Sequence, residues 1–211
     1  GAGNVFANLC DLGLTTHMIG VVGDDVHGQK IHQIIEDFGG AIQGLIIDPY
    51  RPTTLKTRYQ ARSQQLLRVD YEETSVVGEG VSEKIRAEIS EAIAKVQVVV
   101  LSDYGKGLLT PDIIAFVMKA AKKLNIPVVV DPKGKNYSRY KGATVITPNK
   151  KELSEAAGGM NVRGDEYVSN AARQVIKQSG VNAILATRSE EGMTLVKKDK
   201  KEPYHLGTRA L

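Results

Sequence analysis

The sequence predicts an α/β fold, with helices on the faces of a mostly parallel β-sheet and a small antiparallel β unit projecting from it. Strand-like and helix-like patterns alternate along most of the 211 residues. The runs 96–101 and 127–130 are apolar and rich in β-branched residues, which is typical of parallel strands buried on both faces. The segment 41–73 breaks the alternation, because it holds two or three successive strands with no helix between them.

The residues before position 41 carry a first helix and a turn around Gly23. Cys10 lies on the apolar side of this helix, so we expect it to be a small core residue. Asp24 and Asp25 precede the next helix. They are candidates for its amino-terminal cap, because a carboxylate there accepts hydrogen bonds from free backbone N–H groups.

The segment 41–73 is interpreted as the antiparallel unit. Parallel strands need a long crossover connection, and no helix inside the segment supplies one. Side chains alternate between the faces of its central strand, so one face is mostly apolar and the other carries Lys56, Arg58 and Arg62. Two explanations of these cations remain open. They bind an anion, or they form the solvent face of an edge strand and prevent association between sheets.

The clearest helix is predicted over residues 111–124. Thr110 suits the amino-terminal cap, Pro111 suits the first helical position, and Asp112 complements the positive end of the helix dipole. Apolar residues then recur at helical spacing on one face: Ile113, Ile114, Val117, Ala120, Ala121 and Leu124.

The remaining elements continue the α/β pattern. Further strands are expected at 144–146 and 183–186, and further helices near 150–157 and 165–179. The lysine-rich segment 197–201 is expected to be a solvated hairpin turn between two late strands.

Composition and charge exclude several classes of protein. A hydrophobic share of 42% with 25% charged residues is typical of a folded domain. The net charge of +4 is scattered along the chain, so we expect no nucleic-acid partner. The longest apolar run is far shorter than the roughly 20 residues that cross a bilayer, so we expect no membrane partner. Cys10, the single cysteine, cannot form an internal disulfide, which favours the cytoplasm.

Four loops follow predicted parallel strands, at the edge of the sheet where α/β proteins bind ligands. Each combines turn residues with charged side chains. Glycine lets the backbone approach a ligand, lysine neutralises phosphate, and carboxylates hold Mg²⁺ through water. Together the loops favour a nucleotide-phosphate site, whereas turn chemistry alone explains any one of them. The loops are 102–107, 131–134, 147–152 and 187–193.

Several of these motifs resemble those of the ribokinase-like (PfkB) carbohydrate kinases. The chain's first residues and the segment 20–28 are similar to the family's amino-terminal signature. Asn149 and Glu152 match its magnesium-phosphate motif, and the loop from Thr187 to Gly192 lies where its nucleotide-binding loop is expected. Ser189 departs from the pattern, because the family usually has glycine there.

Within that family, the chain resembles the branch that phosphorylates D-glycero-β-D-manno-heptose 7-phosphate. The resemblance covers nearly the whole chain, with its motifs in register and in order. The segments that carry it are 53–58, 64–70, 102–107, 131–134 and 187–193.

The resemblance implies a three-layer αβα sandwich with segment 41–73 as a β lid, and it implies ATP and Mg²⁺ as cofactors. Asn149 and Glu152 would hold the Mg²⁺-phosphate through water, with Glu152 as the metal-side carboxylate. Lys133 would be a phosphate neighbour. The nucleotide would be lined by Thr187, Ser189 and Gly192.

The resemblance also implies how the sugar phosphate is bound. Gly3 and Asn4 would contact sugar hydroxyls, and Asp103 and Lys106 would lie on the substrate side. An ion pair between Asp103 and Lys106 without any ligand is the alternative. The resemblance also places an aspartate at 24–25 near the substrate, which is the alternative to a capping role. The lid would cover the sugar and form a homodimer. Its cations would bind the 7-phosphate of the substrate: Lys56, Arg58 and Arg68.

The family's catalytic base belongs to a Gly-Ala-Gly-Asp motif, in which a helix amino terminus also stabilises the transferring phosphoryl group. Nothing after Gly192 matches this motif. We therefore expect the base beyond Leu211 and the family's first strand before Gly1, and we assign no catalytic residue within the span. On this interpretation the span is a partial kinase domain, inactive alone.

Three functions remain open for the chain. The first is a kinase that makes heptose 1,7-bisphosphate for ADP-heptose and lipopolysaccharide core synthesis. The alternatives are another PfkB sugar or sugar-phosphate kinase and, for this span, a non-catalytic binding or dimerisation piece. A dinucleotide-binding dehydrogenase is disfavoured, because no Gly-x-Gly-x-x-Gly follows a first strand.

Overall fold

The computed structural model describes residues 1–62 and 64–208, which fold into two compact units. The first unit comprises Gly1–Ala92 and Lys106–Thr110, and the second comprises Ile93–Gly105 and the chain from Pro111 onward. The last residues before the expected catalytic motif, 209–211, lie outside the described part of the chain.

The first unit is built around a parallel strand pair. β1 and β2 run parallel, with Gly20 opposite Leu45 and α2 as their crossover. Phe6 and Ile35 form a buried cluster with Leu45, and Cys10 packs against it, as its apolar position predicted. The elements are α1 (Ala2–Asp11), β1 (Gly20–Gly23), α2 (Val26–Asp37), β2 (Leu45–Asp48), β3 (Leu55–Ala61), β4 (Gln64–Tyr71) and α3 (Glu79–Ala92).

The structure corrects the interpretation of segment 41–73 as wholly antiparallel. Its first strand, β2, is the parallel partner of β1, and only β3 and β4 pair antiparallel. The crossover helix that β2 needs is α2, which precedes the segment. The lack of a helix inside the segment therefore did not exclude parallel pairing.

β3 and β4 form a two-stranded hairpin, called the hairpin below. Leu55 lies opposite Tyr71, Arg58 lies opposite Arg68, and the register shifts between Tyr59 and Gln60. Lys56 and Arg58 lie on one face of β3, as the alternation predicts, whereas Arg62 lies beyond the end of β3 in the turn, with φ 54°. The opposite face presents apolar side chains that are each at least 47% exposed: Tyr59, Leu67, Val69 and Tyr71.

The second unit contains a six-stranded sheet in the order β10-β9-β8-β7-β6-β5. Strands β5 to β8 are parallel, and β9 and β10 are antiparallel to their neighbours. Short 3₁₀ helices lie at Ile93–Lys95, Tyr137–Tyr140 and Ser189–Glu191. The longer elements are β5 (Val99–Ser102), α4 (Pro111–Leu124), β6 (Val128–Asp131), β7 (Val145–Ile146), α5 (Lys150–Ala156), α6 (Asp165–Ser179), β8 (Ala183–Thr187), β9 (Met193–Lys197) and β10 (Tyr204–Leu206).

The strongest sequence signals in this unit are confirmed. α4 and α6 occupy their predicted residues, and the lysine-rich segment connects β9 to β10. α4 ends at Leu124, and the next residue, Asn125, has a left-handed φ of 56°. Burial on both faces holds only in part: in β6, Val128 and Val130 on one face are buried and Val129 on the other face is half-buried, and β5 is more exposed. Val100 is 38% exposed, because β5 is the last strand of the sheet and has one neighbour.

Candidate functional site

Backbone hydrogen bonds in the second unit join the four predicted ligand loops at one edge of the sheet. The N–H of Asp103 donates to the carbonyl of Asp131 at 3.0 Å, which joins the first loop to the second. The N–H of Thr147 donates to Val130 at 2.9 Å, and the N–H of Thr187 donates to Pro148 at 2.9 Å. The loops meet because the parallel strands β5 to β8 all end at this edge.

Asn149 and Glu152 form a capping box at the start of α5. The Asn149 side-chain oxygen accepts from the backbone N–H of Glu152 at 3.0 Å. The Glu152 carboxylate in turn accepts from the backbone N–H of Asn149 at 3.0 Å through Oε2. The spacing of this pair therefore has a structural purpose of its own, which Asn-x-x-Glu before a helix could have signalled.

Asp131 lies at the end of β6, near Glu152. Partial burial raises the pKa of Asp131, and the negative charge of Glu152 raises it further, while a hydrogen bond from Tyr104 and the charge of Lys133 oppose the shift. A carboxylate whose charge is destabilised by a second carboxylate in this way favours a cation beside it. Lys133, itself exposed, is thereby placed beside the carboxylate edge.

These carboxylates fit the Mg²⁺ that the fold family implies. Mg²⁺ keeps several waters and takes one or two protein carboxylates together with substrate phosphates. Among residues 1–62 and 64–208, no cluster of three or more His, Cys, Asp or Glu side chains is placed to hold a metal.

The loop from Thr187 to Gly192 has a tightly constrained backbone. The N–H of Arg188 donates to the carbonyl of Gly192 at 2.8 Å and closes the loop. A Cβ on Gly192 would lie 1.9 Å from the carbonyl oxygen of Leu206, so this position excludes any side chain. Ser189 has φ 53°, in the left-handed region that favours glycine, which gives the family's usual glycine a physical reason.

Asp103 is buried at 4% exposure and is fully engaged. Its carboxylate accepts from the Tyr140 hydroxyl at 2.6 Å and from the N–H of Gly105 at 2.8 Å, and Arg139 lies 3.3 Å away. Burial raises the pKa of Tyr140, and its hydrogen bond to Asp103 raises it further. Arg139 neutralises Asp103, so a pairing with Lys106 is not needed to explain this buried charge.

In the first unit, carboxylates neutralise most of the cations expected to bind the substrate phosphate. Lys56 Nζ donates to Asp70 at 2.8 Å and to Glu72 at 2.9 Å, and these bonds raise the pKa of Lys56. Arg68 lies 2.9 Å from Asp70, and Lys106 pairs with Glu72.

Arg58 differs from Lys56 and Arg68, which are each paired to a carboxylate. It is exposed and lies directly opposite Arg68, a like charge, in the β3–β4 register. Like charges directly opposite each other repel. Within the described ranges Arg58 has no ion pair to a carboxylate, so it is the hairpin cation best placed to gain from an added anion.

Asp25 anchors the start of α2. Its carboxylate accepts from the N–H of Gly28 and from the N–H of Thr53, each at 2.8 Å, while the Thr53 hydroxyl accepts from the N–H of Gly23 at 2.8 Å. The backbone hydrogen bond from Thr53, followed by that from Gly28, lowers the pKa of Asp25 to about 2. The capping interpretation therefore holds for Asp25, whereas Asp24 is exposed.

Gly3 and Asn4 lie in the first turn of α1 and are both exposed. No heavy atom lies within 4 Å of the position that a Cβ on Gly3 would take. Packing inside the unit therefore does not require glycine here, and the helical backbone does not either.

Arg51 is a residue that sequence reasoning missed. Its side chain is 9% exposed, and its Nε lies 3.0 Å from Asp48. Its Nη1 and Nη2 donate to the carbonyls of Lys106 at 3.2 Å and Ser75 at 3.0 Å. Arg51 thus ties the end of β2 to two loops of the first unit, and no local motif signals such a role.

Comparison with known proteins agrees with this geometry. The family model described as "pfkB family carbohydrate kinase" matches residues 1–206. The chain belongs to the pfkB family of carbohydrate kinases. This match confirms the family resemblance that the motifs indicated. The amino-terminal segment 20–28, the pair Asn149 and Glu152, and the loop 187–192 all lie inside the matched range.

The chain is similar to curated relatives named "Bifunctional protein HldE". It is 46% identical to that of Paramagnetospirillum magneticum over 94% of this chain and 41% of the relative. It is 40% identical to that of Mesorhizobium japonicum over 100% of this chain and 42% of the relative. The chain thus spans about two fifths of the length of these relatives.

Solved structures share the fold at low sequence identity. The ribokinase of Arabidopsis thaliana, complexed with ribose and ATP, has a TM-score of 0.74 at 22% identity, over 97% of this chain and 65% of that one. Escherichia coli phosphofructokinase-2 in complex with fructose-6-phosphate has a TM-score of 0.74 at 17% identity, over 99% and 67%. The predicted ribokinase-like α/β fold is therefore confirmed. No helix in the described ranges is long and apolar enough to cross a membrane.

Proposed function

We propose that this chain forms the nucleotide- and sugar-phosphate-binding part of a kinase that acts on D-glycero-β-D-manno-heptose 7-phosphate. The kinase transfers the γ-phosphoryl group of Mg-ATP to the hydroxyl at C1 and makes the 1,7-bisphosphate for ADP-heptose and lipopolysaccharide core synthesis. The observation that carries the proposal is the meeting of four motif-bearing loops at one sheet edge in a member of the pfkB family. The resemblance to the heptose-phosphate branch supports the choice of substrate.

In this proposal, the second unit binds ATP. Thr187, Ser189 and Gly192 line the nucleotide through their constrained loop, and Lys133 neutralises phosphate charge. Asn149 shapes the start of α5, and Glu152 and Asp131 bind the waters of Mg²⁺. The metal ion, when bound, neutralises the phosphate oxygens. Phosphoryl transfer depends mainly on such alignment and charge neutralisation.

The first unit contributes residues for the sugar phosphate. Arg58 is the principal ligand of the 7-phosphate, because it is exposed and faces another arginine. Lys56 and Arg68 add positive charge beside it while remaining paired to Asp70. Gly3 and Asn4 contact sugar hydroxyls, and Lys106 is assigned to the substrate side. Asp103, which belongs to the second unit, has the same assignment.

The hairpin is proposed as the lid and as the dimer interface. A lid that covers the sugar excludes water, which a kinase needs if it is not to hydrolyse ATP. The apolar face of the hairpin is exposed in a single chain, and large exposed apolar patches mark interaction sites. A second copy of the same hairpin would cover it. The single cysteine and the use of ATP agree with a cytoplasmic enzyme.

An ADP-release assay tests the function. The full-length gene product is supplied with Mg-ATP and either heptose 7-phosphate, fructose 6-phosphate or ribose, and the 211-residue span is assayed beside it. We expect turnover of heptose 7-phosphate by the full-length protein and none by the span. Preferential turnover of another sugar would support a different pfkB kinase. No ADP release with any sugar, despite a folded protein, would favour the non-catalytic alternative.

A further inference from the structure

Arg188 is a buried cation inside the loop proposed to line the nucleotide. It is 3% exposed, while the next residues, Ser189 and Glu190, are exposed. Burying a guanidinium group is costly unless charged and polar partners surround it. A loop whose second residue points its charge into the protein therefore needs a structural explanation.

The partners of Arg188 come from separate elements of the second unit. Nη1 lies 2.5 Å from Asp165 at the start of α6 and donates to Thr194 on β9 at 2.9 Å. Nε lies 3.5 Å from Glu191, within the loop. The hydroxyl of Thr194 is in turn 2.9 Å from Nδ1 of His205 on β10. The hydrogen bond from Arg188 also holds the pKa of Asp165 below its usual range.

The same network extends to the residues proposed to face the metal. Glu191 pairs with Lys150 at 3.0 Å, and Lys150 is the first residue of α5, directly after Asn149. Arg188 and Glu191 thus connect the nucleotide loop to the helix whose capping box contains Glu152.

The loop has a conformation that must be held. Ser189 and Gly192 both have positive φ, at 53° and 84°. Such conformations cost free energy for residues other than glycine and persist when surrounding contacts enforce them. The contacts of Arg188 with α6 and β9 supply this enforcement from the buried side, which leaves the exposed side of the loop free for a ligand.

We propose that Arg188 is a positioning residue for ATP binding. From the buried side of the 187–192 loop, Arg188 holds the loop in its binding conformation and does not contact the nucleotide. The inference rests on the proposed function of that loop. When only a fraction of the protein molecules have the loop in its binding conformation, the apparent affinity for the ligand falls in proportion to that fraction. Loss of Arg188 should therefore weaken ATP binding selectively, with little effect on binding of the sugar phosphate.

The test compares Arg188→Gln, Arg188→Lys and Asp165→Asn in the full-length protein. Glu166→Gln, an exposed change next to Asp165 on α6 and outside the loop, is the matched control. ATP binding is measured by calorimetry without sugar, and KM for each substrate and kcat are measured by ADP release. Thermal unfolding shows which variants fold, and Asp165→Asn tests the same contact from α6 without altering the loop sequence.

We expect ATP affinity to fall about tenfold in Arg188→Gln and less in Arg188→Lys and Asp165→Asn, with the KM for the sugar phosphate changed by less than about twofold. Glu166→Gln should match the wild type. If Arg188→Gln does not fold, Asp165→Asn decides. Folded variants with wild-type ATP affinity, or with equal losses for both substrates, would overturn the inference. Wild-type protein that binds ATP but phosphorylates no sugar would contradict the proposed function and leave this inference standing.

Discussion

At the scale of single residues, Asn149 and Glu152 combine a structural and a proposed chemical role. Their spacing alone predicts a capping box, and both hydrogen bonds of that box are present. What the spacing could not predict is the proximity of Asp131, which is distant in the sequence and whose pKa is raised by burial and by Glu152. The two roles can be separated, because glutamine also completes a capping box but carries no charge.

We predict that Glu152→Gln in the full-length kinase lowers kcat about 10- to 100-fold and changes the free energy of unfolding by less than about 0.5 kcal/mol. Asn149→Ala should instead lower the free energy of unfolding by about 1 kcal/mol, because it removes the cap. Steady-state kinetics and urea titration measure the two effects. Glu166→Gln, an exposed change on α6, is the control. Full activity in Glu152→Gln would contradict the proposed role beside Mg²⁺.

Ser189 gives a second prediction at this scale. Its left-handed backbone is strained for any residue with a Cβ, so Ser189→Gly should raise the free energy of unfolding by up to about 1 kcal/mol. Ser189→Ala keeps the strain and should stay within about 0.5 kcal/mol of the wild type. Urea titration of both variants checks this. A glycine variant less stable than the alanine variant would show that the serine side chain, and not the backbone, determines the stability of the loop.

At the scale of elements, local signals predicted helices well and strand pairing poorly. α4 has a cap, a proline at its first position and a continuous apolar stripe, all of which are local, and it occupies the predicted residues. The antiparallel prediction for β2 is wrong because its parallel partner β1 and its crossover helix α2 both lie outside the segment 41–73. Strand pairing depends on contacts between distant residues, which a local pattern does not contain.

The cap of α2 leads to a prediction about pH. The pKa of Asp25 is about 2 in the folded chain and near its ordinary value in the unfolded chain. Because the pKa is lower in the folded chain, the charged carboxylate stabilises the fold at pH values above the pKa of the unfolded chain. This stabilisation is lost as pH falls from about 4 towards about 2. Asp25→Asn should therefore lower the urea midpoint near neutral pH, and its difference from the wild type should narrow in that acidic window.

The neighbouring variant Asp24→Asn is the control, because Asp24 is exposed. Its urea midpoint should follow that of the wild type at every pH. A constant difference between Asp25→Asn and the wild type through the acidic window would contradict the low pKa of Asp25.

At the scale of the whole molecule, the parallel order of β5 to β8 gathers the candidate site. Parallel strands run in the same direction and all end at the same edge of the sheet. Loops that are far apart in the sequence therefore lie together there, as the alternating pattern predicted. The apolar face of the hairpin, by contrast, is exposed in a single chain. Its proposed occupant is the hairpin of a second copy.

We predict that the wild-type protein is a dimer and that Leu67→Glu makes it a monomer, because a charge on the apolar face opposes its burial. Gln60→Glu, on the other face of the hairpin, should leave the dimer intact. Size-exclusion chromatography with light scattering measures the mass of each variant. A monomeric wild type, or a dimer that tolerates Leu67→Glu, would contradict the proposed interface.

By itself, the sequence determined the α/β class, the clearest helices, the loops that carry charge and the family, because these follow from local periodicity, capping and motif spacing. Only the tertiary structure decided which charges remain available. Lys56, Asp103 and Arg188 are committed to partners from other segments, whereas Arg58 faces a like charge. An ion pair depends on distance in space, which chain folding creates between residues that no local pattern relates.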